Sequence, residues 1–200
     1  PASQAAGKPK PKPVKPVCNI LVDPAGDASV VGPDPSDDSM DVISADIATS
    51  AKTISAELRL KAYSASDAIT SGGRVYYVTF GAADAANPLY FSLTHDALGD
   101  SFEWGDLEPQ PGGTLSNYTK KGAATGTIDA ATGVIKFSVA VSDFAVLSKI
   151  KAGVKITDLA AISSVVIPST LTGGLVQEVD KASGGKPYIA GTPSCVKVTP

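Results

Sequence analysis

The sequence predicts an all-β fold, an antiparallel β-sandwich of the jelly-roll or immunoglobulin-like kind with one short helix. Turn-forming residues are frequent, with 19 Gly and 15 Pro in 200 residues. Several segments alternate apolar and polar residues with a period of two, which is typical of half-buried strands. There is no repeating strand–helix–strand pattern of the kind that builds a parallel sheet. A β-barrel is the alternative arrangement of the same strands.

The clearest strand is the segment 54–62. Its apolar positions alternate with Ser55, Glu57, Arg59 and Lys61, so one face is expected to be buried and the other solvated. Turn residues at 96–100 and 130–133 indicate two hairpins. The other predicted strands are 74–80, 89–95, 101–108, 126–129, 134–141, 156–167 and 175–179.

One helix is predicted between Ser142 and Gly153. Ser142 can accept a hydrogen bond from the first free amides, Asp143 suits the positive end of the helix dipole, and Gly153 can end the helix. The apolar residues between them have helical spacing: Phe144, Val146, Leu147 and Ile150.

The chain divides into an extended arm, residues 1–16, and a single β-sandwich domain, residues 17–200. Proline alternates with lysine in the arm, which blocks a helix and favours polyproline II. The arm is either a linker or a segment that docks on another copy of the protein. A docked arm would pair with an exposed sheet edge.

The two cysteines, Cys18 and Cys195, lie near the ends of the domain. This placement favours a Cys18–Cys195 disulfide that closes the domain, and two separate buried thiols are the alternative. A disulfide implies an oxidising compartment, so the protein is expected to be secreted or at the cell surface. The start Pro1-Ala2-Ser3 is typical of a chain from which a secretion leader has been removed.

Composition also excludes some partners. The net charge of −3 argues against nucleic-acid binding, which needs a clustered basic surface. No run of 18 apolar residues is present, so we expect no membrane-spanning segment.

The segment 17–50 is acidic and contains no basic residue. Calcium is held by carboxylate and loop carbonyl oxygens, and a Pro/Gly-rich acidic loop offers both. In a regular strand Asp41 shares a face with Ile43, Ala45 and Ile47, so its carboxylate is expected to point inward and to need a partner. The alternative is a solvated loop whose carboxylates bond their own backbone. The predicted Ca²⁺ ligands are Asp23, Asp27, Asp38, Asp41 and Asp46.

The motifs Asp23-Pro-Ala-Gly-Asp27 and Met40-Asp-Val-Ile43, followed by alternating strands, resemble secreted bacterial β-sandwich domains. These domains are similar to DOMON-like proteins and family 9 carbohydrate-binding modules, and the resemblance covers residues 18–195. It implies a calcium ion near the first strands, held by Asp23, Asp27, Asp41 and Asp46. The chain has one Trp and therefore lacks the facing pair of carbohydrate-binding modules.

Two further residues are candidates for ligand binding. Trp104 can stack on a sugar ring if it is exposed, and Asp106 can accept a sugar hydroxyl. The alternative for Trp104 is a core position beside Phe102. The single histidine, His95, lies near a predicted strand end. The sequence has no Gly-x-Ser-x-Gly motif that would supply a serine nucleophile, so we expect no enzymatic activity.

The sequence thus predicts a non-catalytic extracellular sandwich, stabilised by calcium, that serves as a structural or assembly subunit of a cell-surface or fibrous structure. The alternative is a module that binds carbohydrate or a cell-wall polymer.

Overall fold

The computed structural model describes residues 14–29, 37–65, 72–83, 85–110, 116–144, 150–167 and 175–196. In these ranges two antiparallel sheets pack face to face, which confirms the all-β sandwich. The first sheet has the strand order β1-β2-β3-β9-β8, and the second has the order β11-β10-β4-β5-β6-β7, with β12 also paired to β10. The strands are β1 Leu21–Val22, β2 Val42–Thr49, β3 Thr53–Leu60, β4 Arg74–Ala82, β5 Leu89–Asp96, β6 Gly99–Pro109, β7 Ser116–Ala123, β8 Thr125–Asp129, β9 Val134–Ala140, β10 Lys155–Ile167, β11 Leu175–Ala182 and β12 Tyr188–Ile189.

The core lies between the two sheets and follows the alternation read from the sequence. Ile54, Leu58 and Leu60 of β3 are at most 1% exposed. Phe137 of β9 stacks on Phe91 of β5 with 5.8 Å between ring centroids, which joins the sheets across the core. Fully burying one such side chain stabilises the fold by roughly 1.5–3 kcal/mol.

The start of β2 differs from the predicted alternation. The pairing of β2 with β3 shifts register between Val42 and Ser44. Val42 is fully buried, whereas Ile43 is only partly buried. Asp41 is buried, as predicted, together with Ala45 and Ile47, but it does not share this face with Ile43, because a β-bulge changes the direction of the side chains at this point.

Several elements were not predicted, among them the two-residue strands β1 and β12. β7, which carries the polar run around Asn117, was not predicted either, and it forms an edge of the seven-stranded sheet. A short helix, α1, spans Asp37–Met40 inside the acidic segment. The helix predicted from Ser142 to Gly153 is observed only as the short α2, Val141–Phe144, and residues 150–153 are not helical. Residues 145–149 and residues 1–13 of the arm lie outside the described residues.

The two ends of the described chain are joined. Cys18 and Cys195 form the predicted disulfide across a sequence separation of 177 residues. Beside it Val17 forms an isolated parallel bridge with Ser194, with hydrogen bonds from Val17 N–H to Pro193 O (2.9 Å) and from Cys195 N–H to Val17 O (3.1 Å). Within the described ranges, no helix has the length and apolar character needed to cross a membrane.

Candidate metal site

Three aspartates from distant parts of the chain meet at one end of the sandwich. Asp23, Asp27 and Asp180 each contribute a carboxylate oxygen, and these oxygens lie within 4.8 Å of one another. Asp23 and Asp27 lie on the turn after β1, where Gly26 has a φ of +91° that favours glycine. Asp180 lies on β11 of the other sheet. The cluster therefore bridges the two sheets.

Asp41 lies against the same turn. Its Oδ2 accepts a 2.6 Å hydrogen bond from the amide of Gly26, so the carboxylate contacts the turn that carries Asp23 and Asp27. The Asp41 side chain is 1% exposed, and its Oδ1 is buried without a hydrogen-bond partner. A buried carboxylate oxygen that has no donor is costly unless a cation neutralises it.

Asp180 is fixed by two backbone amides. Its Oδ2 accepts from Val42 N–H at 2.7 Å, across the sandwich, and its Oδ1 accepts from its neighbour Lys181 N–H at 2.6 Å. Asp23 is fixed through its backbone, since its N–H donates to Ile43 O at 2.9 Å. The Oδ2 of Asp23 is buried without a hydrogen-bond partner, as is Oδ1 of Asp41. One such oxygen therefore belongs to the cluster, and the other belongs to Asp41, which contacts the turn that carries Asp23 and Asp27.

Burial and mutual repulsion disfavour the charged forms of Asp23 and Asp41. Burial, followed by the neighbouring charges of Asp180, Asp27 and Asp41, raises the pKa of Asp23 to about 6. Burial also raises the pKa of Asp41, and Asp180 adds to this, while the Gly26 amide and Lys61 act in the opposite direction. The Lys61 ammonium lies 3.8 Å from Asp41 Oδ2 but only 2.7 Å from Asp38 Oδ1. One shared lysine cannot balance this cluster of carboxylates.

The donor set fits a hard divalent cation. All the candidate ligand atoms are carboxylate oxygens, which calcium and magnesium prefer, whereas zinc sites use nitrogen and sulfur as well. Calcium accepts six to eight oxygens in flexible geometry. That flexibility suits a site whose ligands come from a turn, a strand end and an edge strand.

Two of the predicted ligands lie elsewhere. Asp38 has 56% of its side chain exposed and pairs with Lys61. The Oδ1 of Asp46 accepts from Ile20 N–H at 2.8 Å, and the Asn19 amide also bonds this carboxylate. Asp46 therefore fixes the chain before β1, where Asn19 has a φ of +50°, and does not join the cluster.

Asp180 is the member of the cluster that sequence reasoning missed. It lies 139 residues after Asp41, and a strand prediction for 175–179 ends just before it. In the sequence, the one signal for Asp180 is that a strand would place it on the same face as the small residue Ala182. In the structure Ala182 is buried. An acidic residue on an inward strand face needs a partner, as Asp41 does.

The interpretation of Trp104 as an exposed stacking platform is wrong. Trp104 is 5% exposed and belongs to the core, because β7 covers it. A Cβ added at Gly122 of β7 would lie only 2.7 Å from its Nε1. Asp106 is 6% exposed and lies 3.3 Å from Lys121 Nζ, so its carboxylate is engaged within the protein.

An exposed aromatic residue does occur on β7. Tyr118 is 39% exposed, and its ring packs against Tyr77 with 4.3 Å between centroids. Tyr90 lies beside both rings, and its hydroxyl donates to Glu103 at 3.2 Å. His95 lies at the end of β5 with its Nδ1 2.5 Å from Asp100 Oδ1.

Comparison with protein-family models, with curated proteins and with solved structures finds no match to this chain.

Proposed function

We propose that this protein is a non-catalytic, extracellular β-sandwich that binds calcium and serves as a structural or assembly subunit of a cell-surface or fibrous structure. The observation that carries the calcium proposal is the cluster of Asp23, Asp27 and Asp180 beside the buried carboxylate of Asp41. Asp23 Oδ2 and Asp41 Oδ1, which are buried without hydrogen-bond partners, are the groups that a cation would stabilise.

The disulfide supports an extracellular location, since such bonds persist in oxidising compartments. Calcium sites of extracellular modules have dissociation constants of about 10⁻⁴–10⁻³ M, which a cluster of a few carboxylates can reach.

Charge distribution supports assembly through the arm. Residues 1–16 contain Lys8, Lys10, Lys12 and Lys15 and no acid, whereas the remaining residues contain 13 basic and all 20 acidic residues. The arm of one copy is therefore complementary to the acidic body of another. Such an attraction acts over about 8–10 Å at physiological salt and weakens as salt is added.

Light scattering and negative-stain microscopy in millimolar calcium test the assembly. We expect the full-length protein to assemble at low salt and a variant with all four arm lysines changed to Gln to remain monomeric. A matched control changes four exposed lysines of the sandwich to Gln and should still assemble: Lys52, Lys151, Lys155 and Lys186. A wild-type protein that is monomeric at every concentration would contradict the assembly proposal.

The second candidate, a module for carbohydrate or a cell-wall polymer, is favoured by one observation, the exposed ring of Tyr118. The Glu103 carboxylate and the Lys120 ammonium, 3.0 Å apart, lie on the neighbouring strands and offer polar groups to sugar hydroxyls. Aromatic rings bury large apolar area against a flat partner.

A glycan array tests this candidate. Tyr118→Ala should lose retention of any glycan bound by the wild type, because the ring is removed. Tyr118→Phe keeps the ring and should retain binding. If no glycan binds the wild type, or if Tyr118→Ala binds equally well, this candidate is excluded.

A further inference from the structure

Among the described residues, no strand pairing links β11 to β1 or β2, whereas the proposed calcium site would link them. Asp180 lies on β11, an outer strand of the seven-stranded sheet, whereas Asp23 and Asp41 flank β1 and β2 of the five-stranded sheet. We propose that calcium acts as a clasp that holds the edge strand β11 against the sandwich, and that loss of calcium releases this strand. The inference rests on the proposed calcium site and concerns what that site regulates.

The attachment of β11 is one-sided. Among the described residues β11 pairs with β10 alone, and the ladder is irregular between Ser163 and Ser164. Val176 of β11 is 52% exposed. Edge strands that bury little apolar surface open at low free energy, well below that of global unfolding. β11 is therefore a strand whose docking a single ligand can control.

One hydrogen bond connects β11 to the other sheet at the cluster. Asp180 Oδ2 accepts from Val42 N–H at 2.7 Å. Opposite Asp180 in the ladder, the Ser163 hydroxyl of β10 donates to Met40 O at 2.5 Å. β10 is therefore anchored to the segment before β2 by its own bond, whereas β11 is held there by the packing of Val179 and Ala182 and by the bond to Asp180.

The charges around Asp180 make that dependence sensitive to a cation. Without one, Asp180 lies beside the negative charges of Asp23 and Asp27, and like charges push β11 outward. With calcium between them, the same carboxylates attract one ion and pull the two sheets together. Opening of β11 would uncover the outer edge of β10, which includes Val165 and Val166.

Hydrogen exchange of the full-length protein tests the clasp, with calcium binding measured separately by calorimetry. At calcium a hundred times its dissociation constant, we expect the β11 amides to exchange about a hundredfold more slowly than in a chelator. The edge strand β7, at the other end of the same sheet, contributes no ligand to the cluster and should change little.

Two substitutions on β11 sharpen the test. Asp180→Asn removes the charge, so in chelator its β11 amides should exchange more slowly than those of the wild type, and calcium should add no protection. Glu178→Gln removes a charge from the same strand outside the cluster and should behave as the wild type does.

The outcomes separate the two proposals. Calcium binding with β11 protected no more than β7 overturns the clasp and leaves the calcium site intact. The absence of calcium binding to the wild type overturns the calcium site, and the clasp with it. Added protection of β11 by calcium in the wild type and in Glu178→Gln, but not in Asp180→Asn, supports the clasp.

Discussion

Calcium at a hundred times its dissociation constant is expected to raise the melting temperature by about 5–10 °C, and Asp23→Asn is expected to abolish the increase. A ligand that binds only the native state at this concentration adds about 2.7 kcal/mol to the free energy of unfolding. For a protein of this size each kcal/mol raises the melting temperature by about 2–4 °C. Differential scanning calorimetry with calcium and with a chelator measures the shift.

Asp46→Asn is the matched control for that experiment. Asp46 belongs to the same acidic segment, but its carboxylate bonds the amides of Asn19 and Ile20. The variant should melt at a lower temperature than the wild type in chelator and still gain the full calcium shift. A calcium shift that survives in Asp23→Asn would contradict the site.

The calcium shift should also depend on pH with a defined sign. In the metal-free folded protein the pKa of Asp23 is raised to about 6 from its ordinary value of 3.8. Between these values the folded state binds more protons than the unfolded state, so metal-free stability rises as the pH falls through 6. The calcium shift should shrink over the same range, because protons compete with the cation.

The second large effect is expected from the disulfide. The double substitution Cys18→Ser and Cys195→Ser should lower the free energy of unfolding by about 2–5 kcal/mol. Cys195 is exposed and Cys18 only partly buried, so replacing sulfur by oxygen removes little packing. The loss comes from the cross-link, which closes a loop of 177 residues and restricts the unfolded chain. Denaturant unfolding in calcium measures it.

Reductant provides the control for the disulfide. It should destabilise the wild type as much as the double substitution does and should leave the substituted protein unchanged. A loss below about 0.5 kcal/mol, no more than an ordinary surface substitution produces, would mean that the bridge between Val17 and Ser194 and the Ser194 hydroxyl bond to Ile47 O (3.0 Å) hold the ends without the disulfide.

Much of the fold could be predicted because the strands follow local patterns. The alternation around Leu58 and the turns at 96–100 and 130–133 set β3 and the hairpins β5–β6 and β8–β9, with ends that match within two residues. β7 could not be predicted because its sequence is polar, and it forms a strand because it pairs with the edge of β6. The bulge at Val42 could not be predicted because the register depends on how two strands pair, which the local sequence does not show.

The candidate site divides in the same way. Asp23, Asp27 and Asp41 could be selected from the sequence, since they are close together in an acidic segment without basic residues. Asp180 could not, because its place in the cluster depends on how β11 packs across the sandwich. Asp38 and Asp46 belong to the same acidic segment, yet they do not join the cluster. Asp38 pairs with Lys61, and the Asp46 carboxylate accepts hydrogen bonds from two backbone amides.

The covalent link between Cys18 and Cys195 determines how the protein carries tension. A pull applied upstream of Cys18 and downstream of Cys195 runs through the sulfur–sulfur bond, and the 176 residues between the two cysteines lie outside the path of the force. The sandwich and its cluster of aspartates would then stay folded under loads that unfold a β-domain without such a link. In a fibre or surface layer, such a subunit transmits force without lengthening.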